Sequence, residues 1–149
     1  MGLHFFDTSA LVKRYYEEPG TEVVDGLIES DDSTVISSLS IIETVSAFRR
    51  KYNRNEIAKD EMESLLSAFF SEALDDFVIV PIEESMLQFS FDLVVEDDLR
   101  TLDSLQLAAA LSVDTDDESP VFVCADSELT AVAEDRGLET TNPRADATE

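Results

Sequence analysis

Four acidic residues mark the points where this sequence could do chemistry. Asp7 directly follows a short apolar run, and Asp126 comes two residues after another. Glu43 and Asp103 each fall in the first turn of a predicted helix. Oxygen ligands without a histidine or cysteine partner select a hard ion such as Mg²⁺ or Mn²⁺. Such an ion holds a phosphate and activates a water, so the pattern predicts phosphoryl chemistry if the four carboxylates meet.

Each acid taken alone also has a purely structural explanation. Asp7 and Asp126 could cap helix N-termini, and residues 40–43 match the S-x-x-E capping box. Asp103 could complement a helix dipole. Because the chain has 34 Asp and Glu residues, a single acid is more often a cap than a ligand. Four together favour a cation site, since crowded carboxylates raise one another's pKa unless a cation lies among them.

These acids depend on elements that alternate between β-rich runs and longer helical patterns. The predicted strands are 3–6, 34–37, 77–80, 121–124 and 139–141. The predicted helices are 9–17, 21–30, 40–52, 59–74, 83–95, 101–111 and 128–136, with an acidic break over 96–98. Strands separated by helices predict an α/β/α sandwich around a central parallel sheet. Ligands of such folds bind beyond the carboxyl ends of the strands, where Asp7 and Asp126 are predicted to lie.

Length and composition predict one globular domain. The chain has 149 residues, of which 44% are hydrophobic, and no apolar run approaches the ~20 residues of a membrane helix. We therefore predict a cytoplasmic protein without a membrane segment, with a folded domain over 1–142 and a polar tail over 143–149. Cys124 and His4 are the only residues of their types, which excludes a disulfide framework and a Cys/His zinc site. Both are predicted to pack in the core.

The charge balance is unusual. The net charge is -24, and only three of the ten basic residues are lysines. On an ordinary core, such a surface suits a cytoplasm of molar salt, where the Debye length falls to ~3 Å and self-repulsion is screened. This composition predicts a halophilic protein. Net charge therefore says little about the ligand.

Four motifs resemble those of a known family. The chain opens with Phe5-Phe6-Asp7-Thr8-Ser9-Ala10-Leu11-Val12-Lys13, and residues 99–110 read Leu-Arg-Thr-Leu-Asp-Ser-Leu-Gln-Leu-Ala-Ala-Ala around Asp103. Weaker motifs surround Glu43 over residues 37–43 and Asp126 over residues 121–126. In order and spacing, the chain resembles PIN-domain ribonucleases, especially the toxins of VapBC toxin–antitoxin modules. The resemblance covers nearly the whole chain.

The resemblance implies a fold, an activity and partners. It implies an α/β/α sandwich and Mg²⁺- or Mn²⁺-dependent cleavage of RNA phosphodiester bonds by the toxin of a type II toxin–antitoxin system. The catalytic and metal-binding acids of the family fall on Asp7, Glu43, Asp103 and Asp126, and its hydroxyl positions fall on Thr8 and Ser9. A cognate antitoxin is the implied partner. A homodimer is also expected, in which part of the apolar stripe over residues 65–74 packs against the second chain.

Two positions depart from the family pattern. Asp98 stands where the family often has a small residue, and Ser127 and Glu128 follow Asp126 where a basic residue is common. Both departures add negative charge or remove positive charge near the proposed site, which puts RNA binding in doubt. The four acids themselves are intact.

Most of the ten basic residues lie in or near the acidic motifs, where RNA phosphates would bind. Lys13 and Arg14 are within two turns of Asp7, and Arg100 precedes Asp103, so these three are the predicted RNA-binding residues. The same residues also fit a solvated helix surface with i, i+4 pairs to nearby acids.

Three other classes of protein also have an aspartate after the first strand or acids at a sheet edge. A phosphatase of the haloacid dehalogenase type needs a second Asp two residues after the first, but Ser9 stands there. A signalling receiver domain needs a lysine late in the chain, and none follows Lys59. A catalytically weak PIN-like module that binds RNA or protein remains the alternative, and a metal titration would separate it from an active nuclease.

Overall fold

In the computed structural model, which describes residues 2–145, five strands alternate with seven α-helices. The strands are β1 (Leu3–Phe6), β2 (Ser33–Ser37), β3 (Val78–Val80), β4 (Val121–Val123) and β5 (Glu139–Thr141). The helices are α1 (Thr8–Leu11), α2 (Thr21–Ile28), α3 (Leu39–Asn53), α4 (Lys59–Asp76), α5 (Glu84–Asp97), α6 (Thr101–Ser112) and α7 (Ser127–Asp135). A 3₁₀ turn over Val12–Arg14 directly follows α1.

The five strands form one parallel sheet in the order β3-β2-β1-β4-β5. The first strand is central, with Phe5 opposite Val35 of β2 on one side and opposite Phe122 of β4 on the other. The chain therefore builds outward from β1 to β3, returns to the centre, and builds the other half as β4 and β5. This reversal makes the β1–β4 edge the topological switch point, where open α/β sheets bind ligands.

Alternate residues of the strands bury opposite faces of the sheet. Phe5, Val35 and Phe122 pack in one apolar cluster with side chains of α5, α6 and α7. Their neighbours Phe6, Ile36 and Val123 pack in a second cluster with α1, α2 and α4. Burial on both faces explains why the strands read as continuous apolar runs. The predicted α/β/α sandwich with a central parallel sheet is confirmed.

A third, smaller cluster fixes the helix that carries Glu43. Phe48 of α3 is fully buried against Ile57 and Met62, which holds α3 beside α4. No helix within residues 2–145 is both long enough and apolar enough to cross a membrane.

The helix predicted over residues 9–17 is wrong in its second half. It ends at the 3₁₀ turn, where the Tyr15 amide bonds to the Val12 carbonyl. The Thr21 hydroxyl donates to the Lys13 carbonyl at 2.8 Å, so that the carbonyl is already satisfied where a continuing helix would use it. The predicted break over 96–98 is likewise shorter, since α5 runs to Asp97 and only Asp98 takes a left-handed conformation, with φ 57°.

Pro143, near the end of the described residues, packs on the body of the fold. Pro143 is buried, and its carbonyl carbon lies 2.8 Å from the position that a Cβ on Gly20 would occupy. Gly20 has φ +99°, so both its backbone and this close approach require glycine. The division into a domain over 1–142 and a tail over 143–149 stays a prediction, because residues 146–149 lie outside the described residues. His4 and Cys124 are both buried.

Candidate active site

The sheet topology brings the four acids of the sequence motifs into one cavity. Asp7 follows β1, and Asp126 follows β4, which is its parallel neighbour. Glu43 projects from α3 and Asp103 from the first turn of α6. All four line a cavity of about 460 Å³ at the carboxyl edge of the sheet. Their meeting at one edge follows from the switch point beside β1.

Asp7 is buried and held by three donors. Its Oδ1 accepts hydrogen bonds from the Ser9 hydroxyl at 2.7 Å and from the Ala10 amide at 3.2 Å. Its Oδ2 accepts from the Cys124 thiol at 3.4 Å. The pKa of Asp7 is raised to about 6, mainly by burial and to a smaller extent by the charge of Asp103, against the three hydrogen bonds, which lower it. Asp7 caps α1 as the structural explanation proposed, and it lines the cavity as well.

Asp126 is exposed and caps α7. Its Oδ1 accepts from the amides of Glu128 at 2.9 Å and Leu129 at 3.2 Å. Within residues 2–145, no donor bonds to the second oxygen, which is free to face the cavity. The cap and the cavity thus use different oxygens of the same carboxylate.

Asp103 lies close to several charged residues, which shift its pKa. Partial burial raises the pKa of Asp103, and the charges of Asp126 and Glu43 raise it further. The guanidinium of Arg100, which precedes the first turn of α6, lowers it in part. Three of the carboxylates are therefore close enough to repel one another.

Glu43 is positioned by a buried polar network. Its Oε1 accepts from the Thr8 hydroxyl at 2.8 Å and from the Gln106 amide nitrogen at 2.7 Å. The same nitrogen lies 2.8 Å from Ser40 Oγ and 3.1 Å from Thr8 Oγ1, while the amide oxygen of Gln106 accepts from Ser37. Gln106 is only 2% exposed. The network orients one oxygen of Glu43 and leaves the other for a ligand.

The capping-box explanation for residues 40–43 is wrong. Helix α3 begins at Leu39 after Ser38, so Ser40 lies inside the helix and is fully buried. Its hydroxyl bonds to Gln106 and Thr8 instead of to a helix-terminal amide.

Gln106 was not among the site residues predicted from the sequence. The signal was available in the spacing, because Gln106 lies three residues after Asp103 on α6 and therefore shares a helix face with it. Arg50 was also left out of the predicted site, although it lines the cavity.

The structure does not bring Arg14 to the cavity. Its guanidinium lies 3.0 Å from Asp25 and 2.9 Å from Glu72, and it also pairs with Glu29. These hydrogen bonds raise the pKa of Arg14, the bond to Glu72 most, and hold the side chain against α2 and α4. A guanidinium already shared by three carboxylates is a poor phosphate ligand.

Lys13 and Arg100 lie nearer to the carboxylates. Lys13 is buried, with its ammonium 3.4 Å from Glu18, and it borders an adjoining groove instead of the cavity itself. Arg100 is exposed next to Asp103. Thr8 and Ser9 both line the cavity and bond to Glu43 and Asp7 as described above.

The side chains that line the cavity are potential ligands of a divalent cation. Within residues 2–145, no three His, Cys, Asp or Glu side chains stand close enough together to ligate one ion directly. The donors are nevertheless all oxygen. Burial is the main cause that raises the pKa values of Asp7 and Asp103, and neighbouring carboxylates raise both further. Mg²⁺ keeps several of its waters and needs only one or two direct carboxylates. The residues therefore fit a hydrated hard cation, bound partly through water.

Comparison with known proteins identifies the family. The sequence model of the PIN domain matches residues 4–135. The chain belongs to the PIN domain family. The match includes Asp7, Glu43, Asp103 and Asp126, so all four acids of the cavity lie inside the family's domain.

Three solved structures share the PIN fold of this chain. One is a toxin–antitoxin complex from Klebsiella pneumoniae, with 17% identity and a TM-score of 0.64 over 94% of this chain and 97% of that one. Another is VapBC2 from Rickettsia felis bound to a DNA fragment from its promoter, with 14% identity and a TM-score of 0.65 over 93% and 97%.

The third is VapC20 from Mycobacterium tuberculosis, a toxin that cleaves the sarcin–ricin loop, with 12% identity and a TM-score of 0.63 over 88% and 95%. No curated protein matches the chain. At these identities, the likeness to the solved structures is one of fold.

The charge on Asp7 should destabilise the cation-free protein. Its pKa is about 6 when folded, against about 3.8 when unfolded, so Asp7 favours folding at pH below 3.8 and this contribution is lost as pH rises through 6. Asp7→Asn keeps the cap and should therefore raise the free energy of unfolding by about 3 kcal/mol at pH 7.5 in EDTA.

The difference should shrink towards zero near pH 4. Urea unfolding followed by circular dichroism at both pH values measures it, with Asp116→Asn in the exposed acidic loop as the matched control. An Asp7→Asn protein that is no more stable than the Asp116→Asn protein at pH 7.5 would contradict the raised pKa of Asp7.

Gln106 should matter for stability out of proportion to its size. Gln106→Leu keeps the volume but removes the donor shared by Glu43, Ser40 and Thr8, so we expect a loss of about 1–3 kcal/mol in the free energy of unfolding. Gln88→Leu, on the exposed side of α5, is the matched control and should change it little. Equal urea midpoints for the two variants would show that the network does not stabilise the fold.

Proposed function

We propose that this PIN-domain protein is a Mg²⁺- or Mn²⁺-dependent endoribonuclease that hydrolyses RNA phosphodiester bonds. The observation that carries the proposal is the meeting of four carboxylates in one cavity at the switch point of the sheet. Hydrolysis of an uncharged metabolite would not require such a concentration of negative charge. The carboxylates repel one another until a cation neutralises them. The family and the RNA-cleaving solved structure of the same fold support the choice of RNA.

The cation would be held by Asp7 and Asp103 directly, and by Glu43 and Asp126 directly or through its waters. When bound, it lowers the pKa of a water and neutralises phosphate charge. Ser9 and the Ala10 amide fix the orientation of Asp7. These contacts pre-organise the oxygens and reduce the reorganisation needed to bind a cation.

The other two acids are pre-organised in the same way. Thr8 and Gln106 fix Glu43, and the first amides of α7 fix Asp126. Histidine takes no part, since the chain's one histidine, His4, is buried in β1 and does not line the cavity. Proton transfer must therefore involve carboxylates and water.

The proposed partner is a cognate antitoxin that covers the cavity in the cytoplasm. Two exposed apolar side chains, Ile42 at 68% and Leu102 at 48%, line the cavity beside the acids. Such a rim suits a protein segment that combines apolar side chains with an arginine, whose guanidinium can pair with the carboxylates in place of the cation. The toxin–antitoxin complexes that share the fold support this partner.

A second candidate is a PIN-like module that binds RNA or protein without cutting it. The spacing of the acids favours it, since no three of them within residues 2–145 stand at ligating distance. A titration with Mn²⁺ separates the two, because a weak module should bind the ion poorly and cut nothing.

Loss of one carboxylate should strongly slow cleavage but preserve the fold. Asp103→Asn keeps the shape of the side chain and removes its charge, so we expect RNA cleavage to fall by about 10²-fold or more. The assay is cleavage of RNA at high salt with Mg²⁺ or Mn²⁺, and Asp116→Asn, in the exposed acidic loop away from the cavity, is the matched control. EDTA should stop the parent protein. Undiminished cleavage by Asp103→Asn, or in EDTA, would refute a metal-dependent nuclease.

The proposed homodimer concerns the face of α4 that points away from the core. In the apolar stripe over 65–74, Phe69 and Ala73 are buried, whereas Phe70 is 37% and Leu74 75% exposed. Light scattering at high salt should give twice the chain mass of 16.5 kDa. Leu74→Glu should give a monomer. Leu87→Glu, at an exposed position of α5, should leave the dimer intact. A monomeric parent protein would refute the dimer.

A further inference from the structure

Arg50 lies in the carboxylate cavity, and no carboxylate of residues 2–145 pairs with it. Its guanidinium donates to the Ser46 hydroxyl at 2.7 Å, and both residues line the cavity. Within residues 2–145, no Asp or Glu oxygen lies within 4.0 Å of it, although Arg14, Lys51 and Arg136 each pair with at least two acids. In a chain of net charge -24, an unpaired cation beside four acids is available for an anionic ligand.

The helix sets the distance between Arg50 and the acids. Glu43, Ser46 and Arg50 occupy positions i, i+3 and i+7 of α3 and so share one face. Seven residues advance a helix by about 10 Å. The guanidinium of Arg50 reaches back to Ser46, which lies one helical turn (~5.4 Å) from Glu43. It is therefore placed to bind the phosphate next to one held at the carboxylates.

A second groove continues the cavity on the other side of the acids. Ser9 and Asp126 line both, so the two spaces adjoin. The groove contains Lys13, which is tied to Glu18, and Arg144, which is exposed. Within residues 2–145, Arg144 has no acid oxygen within 4.0 Å. Among residues 2–145, one guanidinium without an acid partner thus stands on each side of the carboxylates.

We propose that single-stranded RNA crosses the carboxylates along this continuous groove, with Arg50 and Arg144 binding phosphates on opposite sides of the one that is cut. The assignment rests on the proposed ribonuclease function and extends it to the path of the substrate. A strand whose charge repeats along its backbone fits two separated guanidiniums, and the planar fork of arginine matches phosphate oxygens. The acids between them would receive the phosphate that the cation neutralises.

The test compares Arg50→Gln and Arg144→Gln with Arg49→Gln. Arg49 is the matched control because it is exposed on α3, lies 5.2 Å from the Tyr52 ring and lines neither space. Binding of fluorescein-labelled single-stranded RNA is measured by anisotropy in EDTA over a range of salt concentrations in which each protein stays folded. Cleavage with Mg²⁺ is measured in parallel.

Each of the two site variants should raise the Kd by about tenfold and lower the salt slope of log K by about 0.7. The loss should be the same for different RNA sequences, since phosphates carry no sequence information. KM should rise with kcat changed less than twofold, and Arg49→Gln should match the parent.

Site variants that behave like Arg49→Gln in a parent that cuts RNA would overturn the path, and an effect at only one arginine would overturn its two-sided form. A parent that binds RNA with the expected arginine dependence but never cuts it would overturn the proposed nuclease and leave the path standing. A parent that neither binds nor cuts would overturn both.

Discussion

Mutual repulsion among four carboxylates at one sheet edge is the constraint that explains the surrounding contacts. Asp7 receives three donors, Asp126 receives two helix amides, and Glu43 receives a hydroxyl and an amide. Among residues 2–145, Asp103 has only the nearby charge of Arg100 to offset its neighbours. It is therefore the acid whose charge the protein compensates least, and a bound cation would relieve it most.

The choice of glutamine at position 106 follows from the same constraint. A neutral amide donates to Glu43 and Ser40 and accepts from Ser37 without adding charge. A glutamate there would add a fifth negative charge, and an apolar residue would leave buried oxygens unsatisfied. Because Gln106 also shares a helix with Asp103, one helix places the least compensated acid and the group that orients its neighbour.

The sequence allowed the fold and the four acids to be predicted because both follow from local patterns. Apolar runs gave the strands, and a parallel sheet must present their carboxyl ends together, which placed Asp7 and Asp126. What the sequence did not show depends on contacts between distant residues. Gln106 bonds to Glu43 across 63 positions, and Arg14 bonds to Glu72 across 58.

Arg14 follows Asp7 closely in the sequence, and for this reason it was predicted to bind RNA near Asp7. Local rules could not show that its side chain turns away to three acids on other helices. Lys13 is a similar case, since proximity in sequence did not reveal its burial against Glu18. The same limit applies to the predicted helix over 9–17, which ends early. The Lys13 carbonyl accepts from the Thr21 hydroxyl, eight residues on.

The ion pairs of the basic residues, rather than the net charge of the chain, determine where this acidic protein can bind an anion. Arg14 and Arg136 are each shared between acids, and Lys51 lies near two more. Such bases screen the surface but have little attraction left for a ligand. Within residues 2–145, the guanidiniums of Arg50 and Arg144 have no acid partner, and both border the carboxylates. A strongly negative surface repels RNA, so cations without an acid partner among residues 2–145, lying beside the proposed cation site, would favour binding of the strand across that site.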